Sequence, residues 1–281
     1  MIITENYDKR LHPVRADGSY AEPVDTAQVV TGHTALRGMP KKNAPIESQL
    51  LYGERVDIYE KSEQFTWVKN RTDGYMGYVA SNDLGKIVAP PQYRVSALRT
   101  FLYPKPDLKT QPLDLISLTS IVHVDEEKNG FGKTPHGWVW SAHLSHIDRY
   151  ETNLTAVACA FLGTPYLWGG RTSIGVDCSA LVQLALASCG LKLPRDTDLQ
   201  ENALPEVKDW SGNEDDLMPG DLIYWPGHVA LWLGQGRLIH ANATHMAVTA
   251  GIFQDVESRI RKETGSTISS IRRSQHSPEN N

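Results

Sequence analysis

The sequence predicts an α+β protein in which a C-terminal α+β domain follows two small β-barrels, and three features carry that prediction. A nearly all-apolar helix begins beside a cysteine, Cys178. A strand pair rich in glycine breaks follows it and carries two histidines, His228 and His240. The upstream half repeats itself, with Gly77 and Gly137 opening two similar segments about 60 residues apart.

Taken from the N-terminus, residues 1–26 form an arm. Its start, Met1 to Arg10, has no apolar run of the length an export signal needs, and no other segment approaches a membrane span. The expectation is a cytoplasmic protein. Residues 27–88 and 89–149 are the two expected barrels. In the first, Glu54–Tyr59 and Phe65–Lys69 alternate as short strands, and Gly77-Tyr78-Val79-Ala80-Ser81-Asn82-Asp83-Leu84 closes the copy. In the second, Ser120–Val124 is the strand, and Gly137-Trp138-Val139-Trp140-Ser141-Ala142-His143-Leu144 is the echo. Turns of Pro, Gly, Asn and Asp separate the strands, and the copies join near Ala89-Pro90-Pro91. His12, His33, His123, His136, His143 and His146 show no ligand spacing and are expected to be surface or barrel residues.

Residues 150–281 are the expected α+β domain. Asp177 is placed to cap a helix over Ser179–Cys189, where only Gln183 and Ser188 interrupt the apolar run, and Gly190 ends it. A cysteine in the first turn faces unpaired N–H groups and the positive end of the helix dipole, which favour the thiolate. Gly220–Trp225 reads as a strand, Pro226-Gly227 as a break, and His228–Leu233 with Arg237–Ala241 as a hairpin around Gly234-Gln235-Gly236. A three-residue loop pairs Leu233 with Arg237. Ala230 then faces His240, and His228 lies two positions along on the same sheet face, within reach of it. One residue more or less in the loop would send the two rings to opposite faces. Lys208–Asp216 is expected to be a polar loop, and the segment after Ile271 a mobile tail.

Composition narrows the function. Net charge is −5 and pI about 6.1, which leave no basic footprint for nucleic acid or an anionic membrane surface. The three cysteines have no paired spacing, which argues against a disulfide framework or a zinc site, so neither metal nor cofactor is expected.

Five ordered blocks carry a family resemblance: Pro165-Tyr166-Leu167-Trp168-Gly169-Gly170, Asp177-Cys178-Ser179, Pro219-Gly220-Asp221-Leu222, Gly227-His228-Val229-Ala230-Leu231-Trp232-Leu233-Gly234 and Ile239-His240-Ala241. Together they resemble the NlpC/P60 cysteine peptidases, which cut bacterial cell-wall peptides with a papain-like α+β domain. The barrels resemble the paired bacterial SH3 domains that precede it. The resemblance implies Cys178 as nucleophile, His228 as general base and His240 as the residue orienting it. It implies Tyr166 as a donor, with the Cys178 N–H, to the oxyanion. Asp221 reads as structural.

In the subgroup that this chain is similar to, the first barrel supplies part of the site and cleavage is restricted to peptides with a free N-terminal L-alanine. Asp196, in Pro194-Arg195-Asp196-Thr197, is the implied anion for that amine, with Glu54 and Tyr75 from the first barrel. Trp168, Asp177, Ser179 and Thr197 are implied to line the D-glutamyl part. Thr197 stands where relatives often have serine, and Ala180 where many have glycine. The implied reaction is cleavage of the γ-D-glutamyl–diamino acid bond in small murein peptides during wall recycling. A thiol acyltransferase or amidase, a broad peptidoglycan hydrolase with wall-binding barrels, and a non-enzymatic wall binder are the alternatives. Oligomeric state is not legible.

Overall fold

The computed structural model describes residues 7–274, in two units, Met1–Arg149 and Tyr150–Asn281. The expectation for the first six residues, and the tail from Gln275 onward, lie outside the described residues.

Alternating side chains make the N-terminal unit all β. An antiparallel seven-stranded sheet runs in the order Ile46–Leu51, His33–Arg37, Met76–Ala80, Phe65–Asn70, Arg55–Lys61, Asp25–Val29 and Leu84–Gly85. Its inward residues, among them Val29, Leu36, Leu50, Val56, Val68 and Val79, are fully buried in one core. A second core of Val95, Leu102, Ile116, Val122 and Val139 lies between a five-stranded and a three-stranded sheet over residues 93–146. The repeated segments share one backbone. Strand Met76–Ala80 enters the 3₁₀ turn Ser81–Asp83, and Gly137–Trp140 enters Ser141–His143, with nearly equal angles at Ala80 (φ −62°, ψ 128°) and Trp140 (φ −61°, ψ 119°). Tyr52 of the first copy is buried in the core of the second, where its hydroxyl meets Thr134 Oγ1 at 3.4 Å.

The C-terminal unit is a helix-flanked antiparallel sheet in the order Ala247–Ile252, Arg237–Asn242, His228–Gly234, Leu222–Trp225 and Ser270–Arg272. The nucleophile helix, Cys178–Ser188, packs on the two central strands. Leu181, Leu184 and Leu186 are almost wholly removed from water, each contributing about 1.5–3 kcal/mol. Gln183, the polar exception, accepts from Arg171 Nε at 2.8 Å and donates to the Leu193 carbonyl at 3.0 Å, so its burial is compensated. On one sheet face Trp225, Ala230, Trp232 and Leu238 pack against Phe253 and Val256 of a second helix, Phe253–Thr264.

One expectation is corrected. The chain after Ile271 does not fray at once: Ser270–Arg272 is an edge strand paired with Leu222–Tyr224, and Arg273 donates to both Asp221 oxygens at 2.7 Å. A buried carboxylate that would otherwise stand uncompensated holds the chain end in place. The structural reading of Asp221 agrees with this pairing.

Candidate active site

Cys178 is the first residue of its helix, and Asp177 caps it through a 2.9 Å bond from the Ala180 N–H. The capping carboxylate does more. It accepts from the Gly169 N–H at 2.9 Å, the Ser179 hydroxyl at 3.1 Å, and Arg195 Nη1 and Nη2 at 3.0 and 2.5 Å. Arg195 Nη1 also donates to Ser179 Oγ at 2.8 Å. Gln200 Nε2 ties the Ser179 carbonyl to that of Pro194, both at 2.9 Å. One buried cluster thus fixes the helix start, the 166–170 loop and the 193–196 segment together.

The base side is fixed by strand register. Leu231 pairs with Ile239 and Trp232 with Leu238, the same offset the sequence implied, but the turn differs. Gln235 and Gly236, both at positive φ (54° and 70°), make a two-residue turn with Gly234 opposite Arg237, and the register shifts between Trp232 and Gly234. That bulge supplies the extra residue. His228 and His240 consequently share a face, and His228 Nε2 lies 2.8 Å from His240 Nδ1. The bond leaves His228 Nδ1 for the thiol. If Nδ1 is to accept the thiol proton, His228 donates from Nε2, and His240 carries its own proton on Nε2, a buried atom with no hydrogen-bond partner among the described residues.

Electrostatics favour a neutral resting pair. Burial pushes the Cys178 thiol up to about 12, Asp177 adds to the rise, and the Val229 N–H, Arg195 and the Ser179 N–H oppose it. The thiolate preference expected from the helix terminus is therefore overridden by desolvation. Burial, then the Arg259 charge, pushes His228 down to about 4. Burial pushes His240 down to about 3, with His228, Arg259 and His245 adding to it. The bond to Val229 places the sulfur beside the start of the His228 strand. Tyr166 is raised by burial and by the nearby Cys178 and Asp177 charges.

The remaining candidates divide. Asp177 and Ser179 are engaged by protein donors and acceptors, so they shape the site from beneath. Trp168 is 66% exposed. Asp196 occupies the N-cap position of helix Thr197–Ala203 but its carboxylate makes no capping bond, and Thr197 is the first helical residue. Glu54 and Tyr75 belong to the N-terminal unit. Glu54 accepts from the Leu51 N–H at 2.8 Å, and Tyr75 is buried in the first core. Arg195 and Gln200 were missed as organisers of the site. The signal for Arg195 was weak, because its partner lies 18 residues away. Among the described residues no group of three His, Cys, Asp or Glu side chains could hold a metal.

A cysteine on a helix start with a hydrogen-bonded histidine pair is the arrangement of a thiol peptidase. The NlpC/P60 family matches residues 163–267, and the chain belongs to that family. The bacterial dipeptidyl-peptidase Sh3 domain matches residues 36–84. Dipeptidyl-peptidase 6 of Lysinibacillus sphaericus is 25% identical over 271 residues, 87% of this chain and 98% of that protein. Gamma-D-glutamyl-L-lysine dipeptidyl-peptidase of Bacillus subtilis (strain 168) is 27% identical over 72% of this chain and 74% of its own. The crystal structure of an NlpC/P60 family protein from Bacillus cereus ATCC 10987 superposes with a TM-score of 0.72 at 20% identity, covering 89% of this chain and 99% of that one, and shows the same fold.

Proposed function

We propose that this cysteine peptidase hydrolyses the γ-D-glutamyl–diamino acid bond of short peptidoglycan peptides that begin with a free L-alanine, releasing L-Ala-D-Glu. The names of the two relatives support peptidoglycan peptide hydrolysis and a dipeptide product. One observation carries the finer reading. Asp196 is adjacent to Arg195, which is hydrogen-bonded to the first turn of the nucleophile helix, so a carboxylate stands beside the segment that fixes the nucleophile. A carboxylate there matches the charge of an ammonium two residues from the scissile bond, and acetylation of the amine would remove that charge pairing.

In the proposed mechanism, His228 Nδ1 takes the Cys178 proton as sulfur attacks the γ-glutamyl carbonyl. The resting pair is neutral, so charge separates only as the bond forms. The Cys178 N–H, one of the helix's four without an internal acceptor, and the Tyr166 hydroxyl receive the oxyanion. His228 then protonates the leaving amine as the C–N bond breaks, giving a thioester; next it takes a proton from a water that attacks the thioester carbonyl, and the C–S bond breaks to release the acid as His228 returns that proton to Cys178. His240 keeps the His228 ring in plane.

Mass spectrometry of products from L-Ala-γ-D-Glu-L-Lys and its N-acetyl form tests the reading. Cleavage of the free form alone is expected. Cleavage of both means an open cleft and a broader wall hydrolase, and cleavage of neither removes the assignment. We assign the activity to recycling of wall peptides in the cytoplasm. Recovery of the protein from washed walls or medium of intact cells would overturn that setting.

A further inference from the structure

Tyr166 sits on an irregular segment, so something must hold it. On one side the Val176 N–H donates to the Pro165 carbonyl and the Leu167 N–H to the Val176 carbonyl, both at 3.1 Å, which ties the tyrosine to the strand entering Asp177. On the other side its own N–H donates to the Met246 carbonyl at 2.9 Å. Val248 N and Thr164 O meet at 2.8 Å, and Gly163 N and Val248 O at 3.0 Å. The second support begins at the turn Ala243–Met246, between strands Arg237–Asn242 and Ala247–Ile252.

That turn is strained. Met246 has φ of 49° although it is not glycine, and its side chain is largely exposed. The enforcing group lies at the end of the strand. Asn242, 5% exposed, accepts at Oδ1 from both the N–H and Nδ1 of His245 at 2.9 Å. Its Nδ2 donates to Thr249 Oγ1 at 2.9 Å and to the Ala247 carbonyl at 3.3 Å. A longer Nδ2 contact, 3.5 Å, reaches the His240 carbonyl, so the amide ties the turn at His245 to the strands on both sides of it. Asn242 lies two residues beyond His240 and so on the same face of the same strand.

We infer that Asn242 is a positioning residue for Tyr166: through the turn at Met246 it holds the phenol at the oxyanion, from the strand that also carries His240. The inference rests on the oxyanion role of Tyr166 in the proposed mechanism. It makes one strand responsible for two parts of the reaction, the orientation of the base and the placement of the oxyanion donor.

A double-mutant cycle with L-Ala-γ-D-Glu-L-Lys tests it. Tyr166→Phe is expected to lower kcat roughly a hundredfold at little changed KM. Asn242→Ala is expected to lower kcat about tenfold, also at little changed KM, and to add nothing to the loss in the Tyr166→Phe background. Asn242→Asp, which retains acceptors for both His245 donors, is expected to recover part of the loss. Multiplying effects in the double variant would overturn the role of Asn242. An unchanged kcat in Tyr166→Phe would instead overturn the oxyanion reading beneath it. Thermal unfolding of each variant accompanies the kinetics, and if Asn242→Ala does not fold, Asn242→Asp completes the same cycle.

Discussion

The two halves of the active site are held by different means. The nucleophile side is fixed by side chains: Asp177 alone receives five hydrogen bonds, and Arg195 beside it is 1% exposed. The base side is fixed by backbone, through strand register, one bulge and a two-residue turn. A side-chain cluster fails by degrees when a member is removed, whereas a register is right or wrong for every residue on the strand.

The largest expected effect establishes the scale. Cys178→Ala should remove nearly all turnover, at least about 10⁴-fold in kcat, with the fold intact by circular dichroism. Deletion of Ala230, which stands between His228 and the pairs Leu231–Ile239 and Trp232–Leu238, should come close to that loss. The strands should still pair, but one imidazole should move to the opposite face; retention of more than about a tenth of the activity would show that register is not what sets the base side. On the other side, Arg195→Ala strands the Asp177 carboxylate in a buried site and should cost about 3–5 kcal/mol in denaturant unfolding. It should also weaken catalysis, because Arg195 is one of the groups favouring the thiolate.

The smallest effect is on pH. Folded His228 and His240 titrate near 4 and 3 against an ordinary 6.5, so the unfolded chain takes up protons first as pH falls. Their contribution to stability is complete above about 6.5 and is lost progressively through 4 and 3. Cys178, raised to about 12, contributes below about 9 and loses its contribution as pH climbs toward 12. The unfolding temperature should therefore fall on the acid side, and less steeply in His240→Asn. An equal acid slope in that variant would place the titration elsewhere.

The same contrast governs what the sequence could disclose. The strands around His228 and His240 were legible because apolar and small residues alternate between glycines, and the helix because Asp177 precedes an apolar run. The bulge was not legible, since its residue, Leu233, differs in nothing from a regular strand residue; the correct offset came from a three-residue loop where the chain uses a two-residue turn and a bulge. Arg195 escaped because a buried ion pair across 18 residues leaves no periodic trace. The edge strand Ser270–Arg272 is three residues long, too short for alternation, and its polar ends made it resemble a tail. The helix Phe253–Thr264 did carry a signal, with Phe253, Val256 and Ile260 on one stripe, but that signal lies outside the motifs that held attention.

Tyr52 has a consequence for anyone cutting this chain into parts. It is rooted in one barrel and buried in the other, and beside it Gly53 passes so close to the Ile121 carbonyl that an added Cβ would lie 2.0 Å from it. Severed near Pro90, the first barrel would expose an aromatic ring and the second would keep a hole of the same shape. Pulled from its ends, the pair should yield in one rip rather than two, a single mechanical element with two cores.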